Sequence, residues 1–178
     1  MWSGDRVQLA IDFAASAHDG QTVPGRGYAY IVHPLSVCAE VMRSLAREGS
    51  DRPDLAVLCA ILHDTLEDTA ATYQDIVGSF GRDIADGVRA LSKDPTLPKE
   101  ARMADSLRRI REQPREVGIV KLADRIVNLQ EPPEEWDRPK RAAYRDEAIV
   151  IRETLGNCSA HLAARLDEKI RAYEAFLR

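Results

Sequence analysis

Apolar positions recur along this chain at three- and four-residue steps. Val7, Ala10, Phe13, Ala14 and Ala17 form the first such stripe, the mark of a helix with one buried face. His18-Asp19-Gly20 ends it with a turn signal, and an irregular stretch containing Pro24, Gly25 and Gly27 follows. Pro34 suits the first turn of a second helix, where its missing N–H would be unpaired in any case. Leu35, Cys38, Ala39, Val41, Met42 and Leu45 carry that helix to Gly49. Pro53 opens a third segment, in which residues 55–62 are apolar on almost every side. A helix without a polar face is usually central to a domain. Thr72 with Asp75 predicts the start of a short helix and Phe80-Gly81 its end; Ile84, Val88 and Leu91 mark the next.

A polar connector over 92–98 leads into a strongly charged helix expected at 99–112, and Pro114 breaks it. Residues 117–129 are again nearly all apolar, with 117–120 the one run open to a strand reading. Glu131-Pro132-Pro133-Glu134-Glu135 predicts a stiff acidic loop, and two closing helices are expected at about 138–155 and 157–177. No repeat or linker interrupts the pattern. The expected architecture is all-α, a single compact helical bundle over residues 1–178.

Charge then narrows the function. With 25 Lys+Arg against 29 Asp+Glu the formal charge is −4, so the bulk positive field of a nucleic-acid binder is missing. No apolar run approaches the ~20 residues that span a bilayer, and Met1-Trp2-Ser3-Gly4-Asp5 does not read as a signal peptide. Three separated cysteines, Cys38, Cys59 and Cys158, without C-x-x-C spacing read as reduced, buried thiols of a cytoplasmic protein. The expected partner is a small molecule, with neither nucleic acid nor membrane; the oligomeric state stays open. A phosphate-bearing ligand would need a local cation cluster or a metal.

The most informative segment is His63-Asp64-Thr65-Leu66-Glu67-Asp68, at the end of the apolar third helix. Continued helix would put His63, Asp64, Glu67 and Asp68 at three- and four-residue spacings on one face. Crowded acids beside an apolar helix call for a compensating cation, and histidine with aspartate suits a divalent metal. The structural alternative is a cap at Asp68-Thr69 and a hydrogen-bonded core histidine. Asp124 poses a second question, because its neighbourhood, 119–129, otherwise reads as a buried helix. A carboxylate there must be paired or must bind metal: Lys121 or Arg125 could pair with it, or it could be a ligand. Asn128 lies one turn on, towards the same side. His33, ahead of Pro34, is a helix cap or a third ligand. His18 is read as tying down the end of the first helix, and His161 as facing solvent.

These segments resemble a known family. Tyr30-Ile31-Val32-His33-Pro34, Leu62-His63-Asp64-Thr65-Leu66-Glu67-Asp68-Thr69 and Lys121-Leu122-Ala123-Asp124-Arg125-Ile126-Val127-Asn128-Leu129 resemble the signatures of HD-domain hydrolases of the RelA/SpoT type. The flanking Ala14-Ala15-Ser16-Ala17-His18-Asp19-Gly20-Gln21, Phe80-Gly81 and Thr96-Leu97-Pro98-Lys99 agree. Without an attached synthetase or regulatory domain, the chain is similar to the small, stand-alone alarmone hydrolases. The resemblance implies an HD-domain bundle over the whole chain and a Mn²⁺ site made by His33, His63, Asp64 and Asp124. It implies that Glu67 orients and deprotonates a water, and that Asp68 supports it, including by proton delivery to the leaving 3′-oxygen. The implied reaction is hydrolysis of the 3′-pyrophosphate of ppGpp or pppGpp, releasing pyrophosphate and GDP or GTP.

Substrate recognition departs from the family pattern. Related hydrolases carry an Arg-Lys pair shortly before the Tyr-Ile-x-His-Pro motif; here Gln21-Thr22-Val23-Pro24-Gly25-Arg26 leaves Arg26 as the only cation. Pro95 stands where the stand-alone type has lysine, with Lys93 and Lys99 nearest. Lys140 and Tyr144, four apart on a helix, match the family's late basic and tyrosine positions and are expected to contact phosphate and ribose. Asn128 is expected at the ribose or base. An adenine alarmone or the 2′-phosphate of NADPH stays open as substrate, as does a binding module without turnover.

Overall fold

The first half of the core is built by α1 (Gly4–Ala17), α2 (Val32–Glu48) and α3 (Pro53–Leu62). They belong to a computed structural model that describes residues 2–178; Met1, the first residue of the opening segment, lies outside the described residues. As its all-round apolarity requires, α3 buries every residue from Leu55 to Leu62, packed against α1 and α2. The chain continues through α4 (Thr65–Asp68), α5 (Tyr73–Phe80), α6 (Arg82–Leu91), α7 (Lys99–Arg111), α8 (Arg115–Asn128), α9 (Arg138–Leu155) and α10 (Ala160–Tyr173). Short 3₁₀ turns stand at Gly156–Cys158 and Glu174–Leu177. Among the described residues there is no strand, only an isolated antiparallel bridge between Thr22 and Ala29 in the α1–α2 loop. The fold is an all-α helical bundle.

Local signals explain most boundaries. Thr72 and Asp75 form a reciprocal capping box at the start of α5. Gly81 links α5 to α6 at φ +91°, a conformation that costs any residue with a Cβ. The 117–120 run is helical because α8 is packed on several sides, against α2, α3, α9 and α10, and so shows little polar face. Helix α2 begins at Val32, so Pro34 is its third residue, still within the turn that needs no N–H partner.

Three expectations change. The last helix is shorter than 157–177, because Ser159 accepts a hydrogen bond from the Leu162 amide and starts α10 afresh after the 3₁₀ turn. His161 is not solvent-facing: it is half-buried, and its Nε2 is enclosed without a hydrogen-bond partner. Most consequentially, helicity does not run on through the His63-Asp64 pair. α3 stops at Leu62, His63 and Asp64 form a turn, and Asp64 adopts φ −95°, ψ −7° before α4 begins, the bridge region where active-site residues often sit.

Candidate metal centre

The turn holds two donors side by side: His63 Nε2 and Asp64 Oδ2 lie 3.0 Å apart. His33, in the first turn of α2, adds its Nε2 at 3.3 Å from both groups. Asp124, on α8, places Oδ1 3.5 Å from His33 Nε2 and 3.7 Å from His63 Nε2. Since α2, α3 and α8 pack mutually, three distant stretches of sequence meet at one point.

His33, His63 and Asp64 together fit a divalent cation: their donor atoms lie within 4.8 Å of one another. Their contacts of 3.0–3.3 Å match the edges of a coordination shell with bonds of about 2.1 Å. Asp124 Oδ1 borders this trio from the histidine side. His63 Nδ1 lies 2.8 Å from the Ala60 carbonyl and donates to it, which fixes the tautomer and leaves the Nε2 lone pair facing the other donors. The field is strongly negative. Burial opposes charge on both imidazoles, yet Asp64 and Asp124 outweigh it and hold His33 above, and His63 well above, the usual histidine range. Burial likewise opposes ionisation of the two aspartates. His63 and His33 nevertheless hold Asp64 far below the carboxylate range, and Lys121 with the same histidines does so for Asp124. A site that favours positive charge on its imidazoles favours a metal among them.

The two oxygens of Asp124 are engaged differently. Oδ2 accepts from Lys121 Nζ at 2.9 Å, and Oδ1 faces the histidines while accepting from Asn128 Nδ2. Arg125 turns away, pairing with Glu147 and stacking over Tyr144. Glu67 leaves the donor cluster: its Oε2 accepts the Lys93 backbone N–H at 2.8 Å, and its Oε1 lies 3.4 Å from Lys93 Nζ. Asp68 faces an open recess shared with His33, Tyr30 and Asn128. Burial, then the charges of Asp64 and Glu67, raise its pKa.

His33 and Asn128 also border an adjoining cavity of about 220 Å³, walled by Arg26, Tyr28, Val127, Gln130, Trp136 and Tyr144 among others. Its rim is bridged by Arg26 Nη2 donating to Gln130 Oε1 at 3.1 Å. Tyr144 lies between the Arg125 guanidinium and the Trp136 indole, 4.4 Å and 5.0 Å from its ring centroid, and burial pushes its pKa up to about 12. Lys140 is not among the side chains lining this cavity; its ammonium rests 4.4 Å from the Trp136 ring centroid. His18 caps α1, with Nδ1 2.8 Å from Gln21 Oε1.

Comparison with known proteins decides the family. A model of the HD domain matches residues 10–167. The chain belongs to the HD-domain family. This HD domain is similar to the guanosine-3′,5′-bis(diphosphate) 3′-pyrophosphohydrolase MESH1 of Xenopus tropicalis, 37% identical over 99 residues, 52% of this chain and 50% of the relative. It is 41% identical over 88 residues to the bifunctional (p)ppGpp synthase/hydrolase SpoT of Escherichia coli K12, covering 49% of this chain and 12% of that protein. The matches therefore span half the length, or less, of these curated relatives. In three dimensions it superposes on a solved metazoan SpoT ortholog, described as hydrolyzing ppGpp and acting in starvation responses, with a TM-score of 0.85. That match has 24% identity and covers 100% of this chain and 99% of the other, so it establishes the shared fold.

One residue had no assigned task in the sequence. The Tyr30 hydroxyl donates to Asp64 Oδ2 at 2.7 Å, and burial and Asp64 push its pKa well above the phenol range. The ring is held between His18 and His33, at centroid distances of 4.6 Å and 5.6 Å. Its place three residues before His33 was the available signal. Replacing Tyr30 with phenylalanine should weaken binding of a divalent cation at this site about tenfold, by loss of a partner that orients Asp64, without lowering the melting temperature appreciably. Isothermal titration with Mn²⁺ measures this, and unchanged affinity would remove Tyr30 from the centre.

Proposed function

We propose that this HD domain is a Mn²⁺-dependent hydrolase that removes the 3′-pyrophosphate of guanosine alarmones, turning ppGpp or pppGpp into GDP or GTP plus pyrophosphate. The carrying observation is the convergence of His33, His63, Asp64 and Asp124 within 3.0–3.7 Å contacts. The printed activities of the relatives support the substrate class. The mixed nitrogen and oxygen donor set suits manganese, which when bound would lower the pKa of a water and offset phosphate charge.

The chain's own groups would move the protons. Glu67, held in place by Lys93, takes one from the attacking water as its oxygen bonds to phosphorus. Asp68, whose environment retains a proton more readily than a free carboxyl, gives one to the 3′-oxygen as the P–O bond breaks. Asn128, Tyr144 and Arg26 border the space for ribose and base, and Lys140 stands behind Trp136 for a terminal phosphate. We read residues 1–178 as one such phosphohydrolase domain. Three free cysteines support a reducing, cytoplasmic setting, and among the described residues no helix is long and apolar enough to cross a membrane.

A neutral wall of Gln21, Thr22 and Val23 beside His33 favours a second reading, in which the phosphate lost belongs to an adenine alarmone or to NADPH. Purified protein with Mn²⁺ and a substrate panel separates them. GDP and pyrophosphate from ppGpp are the expected products. Orthophosphate from NADPH, or turnover of the adenine alarmone alone, would transfer the assignment. Tight nucleotide binding without any product would make the domain a binding module.

A further inference from the structure

The space around the metal centre is poor in free positive charge. The recess holding Asp68 has no lysine or arginine in its wall, and the adjoining cavity has only Arg26, tied to Gln130 and balanced by Glu131. Lys93, Lys121 and Arg125 are each engaged by a carboxylate, Glu67, Asp124 and Glu147. A substrate with phosphates at both ends would therefore meet a metal at one end and, at the other, only Arg26 on the cavity rim and Lys140 behind Trp136.

Further cations stand one step along. Ser36, Val127 and Gln130 line both the cavity and a second groove of about 370 Å³ between α2, α8 and α10. That groove presents Arg43, Arg165 and Lys169 against one carboxylate, Glu40. Glu40 is already taken, because Arg165 grips it through both oxygens at 2.6–2.9 Å. Arg43 and Lys169 form no ion pair or side-chain hydrogen bond among the described residues. Arg43 is exposed and Lys169 half-buried, so neither carries the desolvation cost of a structural pair. Along α2, His33, Ser36, Glu40 and Arg43 follow three- and four-residue steps on one face, and ten residues of helix place Arg43 about 15 Å from His33. An anion on Arg43 and Lys169 would thus be the far end of a ligand whose near end is at the centre.

We infer that the Arg43–Lys169 groove is a second anion subsite, which receives the 5′-diphosphate of the nucleotide while its 3′-phosphates lie at His33, His63, Asp64 and Asp124. The identity of the ligand rests on the proposed alarmone reading; the anion subsite itself rests on the groove alone. It supplies the positive charge that the Gln21-Thr22-Val23 segment lacks, and predicts a preference for nucleotides phosphorylated at both ends.

Two measurements on the full chain test it. In the first, inorganic pyrophosphate is titrated into the purified protein and followed by amide chemical shifts. Saturable shifts at α2 and α10 around Arg43 and Lys169 are expected, reduced at least tenfold in affinity by R43Q/K169Q. No binding there, or binding indifferent to the substitutions, overturns the subsite. In the second, ppGpp is compared with guanosine 3′-diphosphate lacking 5′-phosphates. The double variant should raise KM at least tenfold for ppGpp alone, with kcat within twofold. Equal effects on both substrates overturn the assignment of the 5′-diphosphate. A wild-type protein inactive on both overturns the alarmone reading instead, and the first measurement still decides the groove.

Discussion

Replacing Asp64 by alanine should abolish tight binding of Mn²⁺ and lower kcat/KM at least about a thousandfold, since a catalytic metal contributes several kcal/mol of transition-state stabilisation. No other group stands ready to replace it. Asp64 Oδ2 lies 3.0 Å from His63 Nε2 and 3.3 Å from His33 Nε2. Asp124, the other carboxylate at the centre, already accepts from Lys121 and Asn128. Without Asp64 the charge balance shifts from two carboxylates and one ammonium towards net neutrality, and two imidazoles with one carboxylate already neutralised by Lys121 hold a hard cation weakly. The side chain lies at the rim, 19% exposed, and outside the apolar core, so the fold should survive; a melting temperature within a few degrees of wild type verifies this. Elemental analysis and titration with Mn²⁺ read the outcome, and metal retained at wild-type affinity would remove Asp64 from the ligand set.

Much of this architecture was legible because it follows from local physics. The apolar stripe of α1, the reciprocal cap at Thr72 and Asp75, the all-round apolarity of α3 and the Pro114 boundary all act within a few residues. The motifs carrying His33, His63, Asp64 and Asp124 could be picked out as chemistry misplaced in apolar helices. What periodicity could not show was the turn at His63-Asp64. A continuous helix and a helix–turn–helix share the same spacing of residue types, so the pattern does not tell them apart. The same limit hid the partner of Glu67, which is the backbone N–H of Lys93, 26 residues away. Nor could spacing reveal that Arg26 closes on Gln130 across 104 residues, since such contacts depend on how loops fall over the bundle. The formal −4 also acquires a location: Asp64 and Asp124 face the paired histidines His33 and His63, while Arg43 and Lys169 stand without an ion pair among the described residues. A chain acidic overall can then still present separate positive points to an anionic nucleotide.

Glu67→Gln should divide metal binding from proton transfer. Its carboxylate is anchored from the α6–α7 connector, by the Lys93 N–H at 2.8 Å and the ammonium at 3.4 Å, and not by the donors of the centre. Glutamine keeps the length and one acceptor oxygen, so the Lys93 N–H can stay paired, while the ability to take a proton is lost. Affinity for Mn²⁺ is therefore expected within about twofold of wild type, whereas kcat should fall by about 10²–10⁴, the usual contribution of a positioned general base. KM should change little, because the groups bordering the nucleotide space, Asn128 and Tyr144, are untouched. The contrast with Asp64→Ala carries the mechanistic weight: one variant loses metal and rate together, the other rate alone. If Glu67→Gln also released the metal, Glu67 would swing from Lys93 into the coordination shell when the cation binds, and the water's proton would have to go to Asp68. A normal kcat would instead show that solvent takes the proton, leaving Glu67 as the clamp that fixes the Lys93 connector beside the centre.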